Sequence, residues 1–243
     1  MNKVSALATS FINLIYPLHC ASCGRRLASA ERSDVCGTCR AGIKRNPAPY
    51  CRSCGRPASM AGTRCPECRA TRVFYSFARS ACMYEGVLKE LIHKYKYNNR
   101  RGLSGVFAAI MLDFIGDNPD LTDSADIITF VPLHRKNALK RGFNQSELLA
   151  SLIGKSLNIP VAGCLEKTRS TKNQNELSRE ERLVNLVDAF RIKADTGRNA
   201  VKGAGILVID DVMTTGATLN EAARLFMGHG ARSVRCLTLA RGT

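Results

Sequence analysis

The chain has no tryptophan, and phenylalanine and tyrosine make up only 6% of its 243 residues. Bulky aromatics therefore dominate neither its core nor its surface. No run of 18 apolar residues occurs, so no segment reads as a membrane-spanning helix. Near the N-terminus, Val4 to Ile15 are moderately apolar, but Thr9, Ser10 and Asn13 interrupt them. That is not the continuous apolar core of a secretory leader. Val4, Leu7, Phe11, Leu14 and Ile15 instead follow helical spacing, which predicts a short amphipathic helix lying on the protein itself. Acidic residues are also scarce: 20 Asp and Glu face 36 Lys and Arg, a net charge of +16. Such a surplus favours polyanionic partners, whether nucleic acid or an anionic membrane surface. Apolar residues still make up 45% of the chain, enough for one sizeable core.

Cysteine, by contrast, is abundant and ordered. Eight of the eleven fall into four Cys-x-x-Cys pairs: Cys20/Cys23, Cys36/Cys39, Cys51/Cys54 and Cys65/Cys68. The segment repeats itself, with Cys-Ala-Ser-Cys-Gly-Arg at Cys20 and Cys-Arg-Ser-Cys-Gly-Arg at Cys51. Paired cysteines of this kind mark metal ligation in a reducing compartment rather than a disulfide framework. Gly24 and Gly55 follow the knuckle cysteines, and φ > 0 there lets backbone N–H groups turn toward sulfur. Four thiolates and no histidine leave a zinc ion no open position, so both sites read as structural. Between Cys20 and Arg72 the large apolar residues are only Leu27, Val35, Ile43, Tyr50 and Met60. That is too little burial to fold the segment, whereas a structural zinc contributes about 10–16 kcal/mol. Two pairings fit the spacing, adjacent (Cys20, Cys23, Cys36, Cys39 with Cys51, Cys54, Cys65, Cys68) or interleaved, and the adjacent one is expected. The segment is studded with arginines, which suits contact with nucleic acid or protein and equally a solvated basic face.

The expected division is a zinc module over residues 1–72 and a larger domain over 73–243. In the latter, strand-like runs alternate with helical ones: Ile127–Val131, a helix Gln145–Leu157, a strand near Cys164–Lys167, Ile206–Ile209, a helix Leu219–Met227 and Val234–Ala240. Ser178 and Glu181 form a capping box that opens a further helix. This alternation predicts an α/β domain with a mainly parallel sheet. Cys82, Cys164 and Cys236 read as buried small apolar residues.

The chemistry lies after Ile206–Ile209. Ligands in open α/β sheets bind beyond the carboxyl ends of strands. Asp210 and Asp211 can accept hydrogen bonds from two ribose hydroxyls, and a nearby Mg²⁺ would ease the repulsion between them. Thr214, Thr215, Gly216, Ala217 and Thr218 form the turn into the next helix, where hydroxyls, N–H groups and the helix dipole can grip a phosphate.

A hydrophobic strand, two acids and Thr-Thr-Gly-x-Thr resemble the phosphoribosyl pyrophosphate motif of type I phosphoribosyltransferases. Val131-Pro132-Leu133-His134, Arg141-Gly142-Phe143-Asn144-Gln145, Leu91-Ile92-His93-Lys94-Tyr95-Lys96-Tyr97 and the stretch holding Lys167, Thr168, Arg169, Thr171, Gln174, Leu177, Arg182 and Asn185 extend the resemblance over nearly the whole chain. With the zinc ribbons, these are similar to the ComF (ComFC) family of phosphoribosyltransferase-like competence proteins. The resemblance implies that Asp210 and Asp211 hold ribose and that the threonine loop holds the 5-phosphate. It also implies a pyrophosphate side and flap made by Pro132, Leu133, His134, Arg141, Asn144, Gln145, Arg169 and Gln174. Phosphoribosyl pyrophosphate with Mg²⁺, two structural zinc ions, single-stranded DNA, a helicase-type competence partner and a cytoplasmic setting come with it. The activity stays open between DNA handling, phosphoribosyl transfer to an unknown acceptor and ligand sensing. One departure is visible: Asn137 and Leu139 stand where the family usually carries arginines.

Lys94-Tyr95-Lys96-Tyr97-Asn98-Asn99-Arg100-Arg101 interleaves cations with tyrosines. Lys94, Lys96, Tyr97, Arg100 and Arg101 can grip a nucleic-acid strand by charge and stacking. The same stretch also reads as the end of an amphipathic helix in which Val87, Leu88, Leu91, Ile92 and Tyr95 share a face, and Tyr95 is expected in the core.

Overall fold

The computed structural model describes residues 18–28, 33–168, 189–194 and 196–242. The helix expected over Val4–Ile15 and the capping box at Ser178–Glu181 lie outside them. Among the described residues six strands form: β1 (Phe77–Met83), β2 (Ile127–Phe130), β3 (Leu165–Lys167), β4 (Phe190–Ile192), β5 (Gly205–Met213) and β6 (Ser233–Arg241). The main sheet runs β1-β6-β5-β2 with every pair parallel, and β3 and β4 form a separate antiparallel hairpin. A parallel bridge from Ile128 to Val161 extends the sheet past β2.

Alternation along β5 explains the two layers. Leu207 and Ile209 join one buried cluster with Leu237 and Leu239, while Ile206 and Val208 join the other with Val234 and Cys236. Such a strand is apolar on both faces because both are covered. The first face carries α3 (Gly86–Tyr97), α4 (Leu103–Asp117) and α6 (Gln145–Leu157); the second carries the hairpin, α7 (Thr196–Val201) and α8 (Ala217–Gly228). On α3, Leu88, Leu91, Ile92 and Tyr95 are fully buried at i, i+3, i+4 and i+7. Each aliphatic side chain so buried contributes about 1.5–3 kcal/mol. The expected core position of Tyr95 holds; its ring meets Phe107 edge-on at 5.3 Å and its hydroxyl donates to the Gln145 carbonyl at 3.0 Å.

Two elements differ from the sequence expectation. β5 does not stop at Ile209 but continues through both acids to Met213, because its ladder with β6 persists to Met213 and Arg241. The segment after Val131, expected as a loop, contains helix α5 (Arg135–Arg141). His134 caps it, with Nδ1 accepting from the Lys136 N–H at 3.3 Å, and Gly142 ends it at φ 73°. Strands β2, β3 and β6 and helices α6 and α8 agree with the sequence pattern to within a residue or two at their ends.

The cysteine segment does not stand apart from this core. Short helices α1 (Gly37–Ala41) and α2 (Pro66–Ala70) follow Cys36 and Cys65. Leu27, Val35 and Ile43 share the first buried cluster with α3 and α4. Between the two cysteine groups, Asn46 donates its N–H to Ala81, Met83 donates to Lys44, and Arg45 bridges Cys82. The connecting chain thereby covers the free edge of β1, an edge that would otherwise invite pairing with another strand. Among the described residues no helix is long and apolar enough to cross a membrane.

Candidate functional site

Each cysteine repeat closes on itself. The sulfurs of Cys20, Cys23, Cys36 and Cys39 lie within 4.8 Å of one another, as do those of Cys51, Cys54, Cys65 and Cys68. This is the adjacent pairing; the interleaved one does not occur. The Cys23–Cys36 and Cys54–Cys65 sulfurs are 3.8 Å apart, the edge length of a tetrahedron whose metal–sulfur bonds are about 2.3 Å. Gly24 and Gly55 have φ of 75° and 67° as the knuckle turns require. The Cys36 N–H reaches the Cys20 sulfur at 3.3 Å, and the Cys65 N–H reaches Cys51 at 3.2 Å. Burial works against a Cys20 thiolate, but the N–H groups of Cys36, Cys23 and Ser22 outweigh it and lower the thiol to about 6. Cys51 is lowered to about 6 in the same way, by Cys54, Cys65 and Ser53. Burial and the neighbouring Cys54 charge push Cys68 up. Four sulfurs this close cannot all ionise alone, and a divalent cation removes that conflict. The donor set fits closed structural zinc.

The two carboxylates stand at the carboxyl edge of β5. After β2 the chain turns outward to Val161, whereas after β5 it turns the other way to β6. The acids thus occupy the switch point at which α/β sheets bind ligands. Asp211 reaches α3, and Asp210 reaches the start of α6. Asp211 Oδ1 pairs with Lys96 Nζ at 2.9 Å, the two side chains being only 12% and 19% exposed. Asp210 Oδ1 accepts from the Ser146 hydroxyl at 2.8 Å and from the Asp211 N–H at 2.9 Å.

Burial, reinforced by the Asp211 charge, pushes Asp210 up to about 7 against the hydrogen bonds of Ser146 and the Asp211 N–H and the charge of Lys96. The folded state thus favours the protonated carboxyl. Its stabilising contribution is complete below the ordinary value of 3.8 and is lost as pH rises through about 7. Zinc-loaded wild type is expected to lose more thermal stability than Asp210→Asn between about pH 5 and about pH 8. Equal losses in the two melting series would count against this assignment.

Next to the acids, Val212, Met213, Thr214, Thr215, Gly216, Ala217, Thr218 and Leu219 join Asp210 in lining a small hollow. Gly216 sits at φ 81° as the N-cap of α8 and, being glycine, brings no capping side chain of its own. A Cβ on Gly216 would come within 2.5 Å of Met213 Cε. Thr215 Oγ1 accepts from the Ala217 N–H at 3.3 Å. This glycine-capped helix start with flanking hydroxyls suits an anion.

Structure brings together only part of the expected pyrophosphate side. Asn144 caps α6, its Oδ1 accepting from the Ser146 N–H and its Nδ2 donating to the Val131 carbonyl at 3.1 Å. Arg141 Nη1 donates to Gln145 Oε1 at 3.3 Å. His134 serves as the α5 cap, and Pro132 and Leu133 are half-buried. Arg169 and Gln174 lie outside the described residues.

The cation–tyrosine stretch divides. Lys94 turns inward and donates to the Ala21 carbonyl of the first ribbon. Lys96, expected with the nucleic-acid candidates, is drawn inside to Asp211. Tyr97 stays 51% exposed, with His93 at 4.8 Å and the Arg141 guanidinium over its ring at 5.1 Å. Arg101 donates to the Gly142 carbonyl at 2.6 Å and Arg100 is exposed. Sequence reasoning missed Ser146, whose partner is 64 residues away, and the inward turn of Lys96; no local pattern marks either.

The phosphoribosyl transferase domain family matches residues 142–243, and the double zinc ribbon domain family matches residues 11–82. Competence protein ComFC of Bacillus subtilis (strain 168) is 31% identical over 215 residues, covering 85% of this chain and 84% of that protein. DNA utilization protein YhgH of Escherichia coli (strain K12) is 30% identical over 210 residues, covering 85% of this chain and 90% of that protein. Competence protein F of Haemophilus influenzae is 27% identical over 229 residues, covering 93% and 98%.

Proposed function

The chain belongs to the ComF/ComFC/YhgH family of competence and DNA utilization proteins, a double zinc ribbon joined to a phosphoribosyltransferase-type domain, and on that premise we propose that it binds phosphoribosyl pyrophosphate with Mg²⁺ and handles single-stranded DNA. The observation that carries the ligand is the acid pair at the sheet's switch point, beside a glycine-capped helix start. In this reading Asp210 and Asp211 accept from the two ribose hydroxyls, and the Thr214–Thr218 turn holds the 5-phosphate. Magnesium would ride with the pyrophosphate and neutralise its charge. Ser146 aims Asp210, and Lys96 aims Asp211. Residues 1–72 serve as the zinc-dependent module and 73–243 as the ligand-binding domain.

The DNA part draws support from the net charge of +16 and from the relatives' names. A second reading, transfer of the phosphoribosyl group to an acceptor, draws on the same acids and threonine turn, which a scaffold that only binds DNA does not need. The test is fluorescence anisotropy of a labelled single strand across a salt series, with and without Mg-phosphoribosyl pyrophosphate, beside calorimetric titration of that ligand. Each phosphate contact is expected to add about −0.7 to the log–log salt slope. No strand binding at low salt removes DNA handling by the isolated chain; no heat and no shift with the ligand removes the ribose assignment.

A further inference from the structure

We propose that the groove between the second zinc ribbon and the start of β1, formed around Tyr50, Arg52 and Arg79, is where a single-stranded nucleic acid lies, its bases on the ring and guanidinium planes and its phosphates on the arginines. The inference deepens the DNA-handling reading above and rests on it for the kind of partner. The groove lies off the β1 edge of the sheet, and the strand order β1-β6-β5 sets it two strands from the acid pair. Small residues, Pro49, Ala61 and Gly62, line it beside the three large ones and leave room for a flat ring.

Arginine and aromatic planes meet here. The Arg79 guanidinium stands 4.7 Å from the centre of the Phe77 ring and 5.7 Å from that of Tyr50. Arg235, opposite Phe77 in the β1–β6 ladder, places its own guanidinium 5.8 Å from the Phe77 ring. Such planes stack unpaired bases with little regard to sequence. Local contacts fix the geometry in advance. Arg79 Nη1 donates to the Ala78 carbonyl at 2.9 Å and to the Arg52 carbonyl at 3.3 Å, and the Tyr50 hydroxyl donates to the Asn46 carbonyl at 3.2 Å. A surface held in this way loses less conformational freedom on binding.

Charge separates these arginines from other cations near the ribbons. Arg40 and Arg45 pair with Asp113, Lys44 with Glu85, and Arg56 with Glu67. Arg52, Arg79 and Arg235 make no ion pair among the described residues. The Arg235 Nε is buried and has no hydrogen-bond partner among the described residues. Burial lowers the Arg79 guanidinium, and Asp120 opposes that. The acids whose charge reaches the groove, Asp120 at Arg79 and Asp117 at Tyr50, are exposed and form no ion pair among the described residues. Backbone phosphates would supply the missing counter-charge. Zinc does not require Arg52, since Ala21 holds the same place in the first Cys-x-x-Cys repeat.

The chain has no tryptophan, so Tyr50→Trp places a single indole in the groove. The experiment adds labelled oligothymidylate, alone or paired with its complement, to zinc-loaded Tyr50→Trp and follows indole fluorescence and strand anisotropy together. Wild type, Arg52→Ala and Arg79→Gln are titrated beside it across a salt series, each checked for zinc content and melting temperature. The single strand is expected to quench the indole over the concentrations at which anisotropy rises, because a stacked base meets the ring directly. The duplex, whose bases already stack on each other, should not quench it. Each arginine removed should flatten the log–log salt slope by about 0.7. Affinity should fall about 10- to 100-fold in Arg79→Gln, with the loss of a hydrogen bond to a charged group. Anisotropy that rises without quenching, or a salt slope unchanged in Arg52→Ala, would overturn the groove and leave the strand elsewhere on the protein. Should Arg79→Gln not fold, Arg52→Ala decides the salt test, because Arg52 is exposed. No rise in anisotropy for wild type at low salt would instead remove the DNA reading itself, and the groove with it.

Discussion

Serine in place of Cys51 or Cys54 is expected to abolish ribose-ligand binding, with affinity falling at least about 100-fold, whereas serine at Cys20 or Cys23 should cost less than about tenfold. The difference follows from what each zinc group touches. Arg241, 2% exposed at the end of β6, donates Nη1 to the Cys54 carbonyl at 3.1 Å and turns Nη2 to the Cys54 sulfur at 3.7 Å. The next residue, Gly242, donates to the Met213 carbonyl at 2.9 Å, and a Cβ there would come within 2.9 Å of Thr214. Just past the ribbon, Tyr75 is buried with its hydroxyl near Gly216. Asn220 on α8 clamps the chain that leaves the ribbon, accepting from the Phe74 N–H at 2.8 Å and donating to the Arg72 carbonyl at 3.0 Å. The second ribbon therefore braces the threonine turn from several sides. Gly55 seals it onto β1, since a Cβ would meet the Ala78 carbonyl at 2.5 Å.

The first ribbon meets a different part of the protein. Its Ala21 carbonyl takes Lys94, and Cys20 and Cys36 bury against the α3–α4 side. Loss of the first zinc should loosen that face and lower the melting temperature, with the threonine turn still held. The measurement is zinc stoichiometry, melting and ligand titration on both sets of variants. Equal losses of binding from the two sites would show that either ribbon acts only through global stability.

Asp210→Asn with Asp211→Asn is expected to remove measurable binding of both ribose 5-phosphate and Mg-phosphoribosyl pyrophosphate while the protein stays folded. A carboxylate accepts from a hydroxyl with no competing donor, whereas an amide presents its NH₂ on one side. Hydrogen bonds to a charged partner contribute about 1.5–3 kcal/mol each, so losing two lowers affinity by two to four orders of magnitude, roughly. The single variants should separate. Asp210→Asn relieves the crowding that raises its own carboxyl and keeps an acceptor for Ser146, so it should fold at least as well as wild type near neutral pH. Asp211→Asn strands Lys96, whose side chain is 19% exposed, without its counter-charge, and should cost stability. Unchanged binding in the double variant, by calorimetry on protein with full zinc content, would take the ribose role away from both acids.

The resemblance read from sequence and the structure agree on the family, the parallel sheet and the two zinc groups. The reasons are local. A Cys-x-x-Cys knuckle with glycine after it is a contiguous turn, so its chemistry is legible wherever it lies. Ile206–Ile209 followed by two acids and a threonine turn is one strand, one edge and one helix start, again contiguous. The helical period of Leu88, Leu91, Ile92 and Tyr95 foretold a buried face because that periodicity is set by the backbone itself.

What the sequence by itself determined is therefore each short unit: the knuckles, the strand with its acids, the turn into α8 and the buried stripe of α3. Tertiary structure alone decided which units meet. Nothing near Lys96 in the chain tells that its ammonium ends on Asp211 rather than in solvent; that follows from packing α3 on the face to which residue 211 points. Ser146 became a partner of Asp210 only because α6 starts at the carboxyl edge of β2, next to β5. Pairing of Cys20 with Cys39 rather than with a later pair, and the bracing of Thr214 by the second ribbon through Arg241, were equally matters of approach between distant segments. Local sequence specifies backbone geometry, but the partners of a side chain depend on burial and register across the whole sheet, which only the assembled fold supplies.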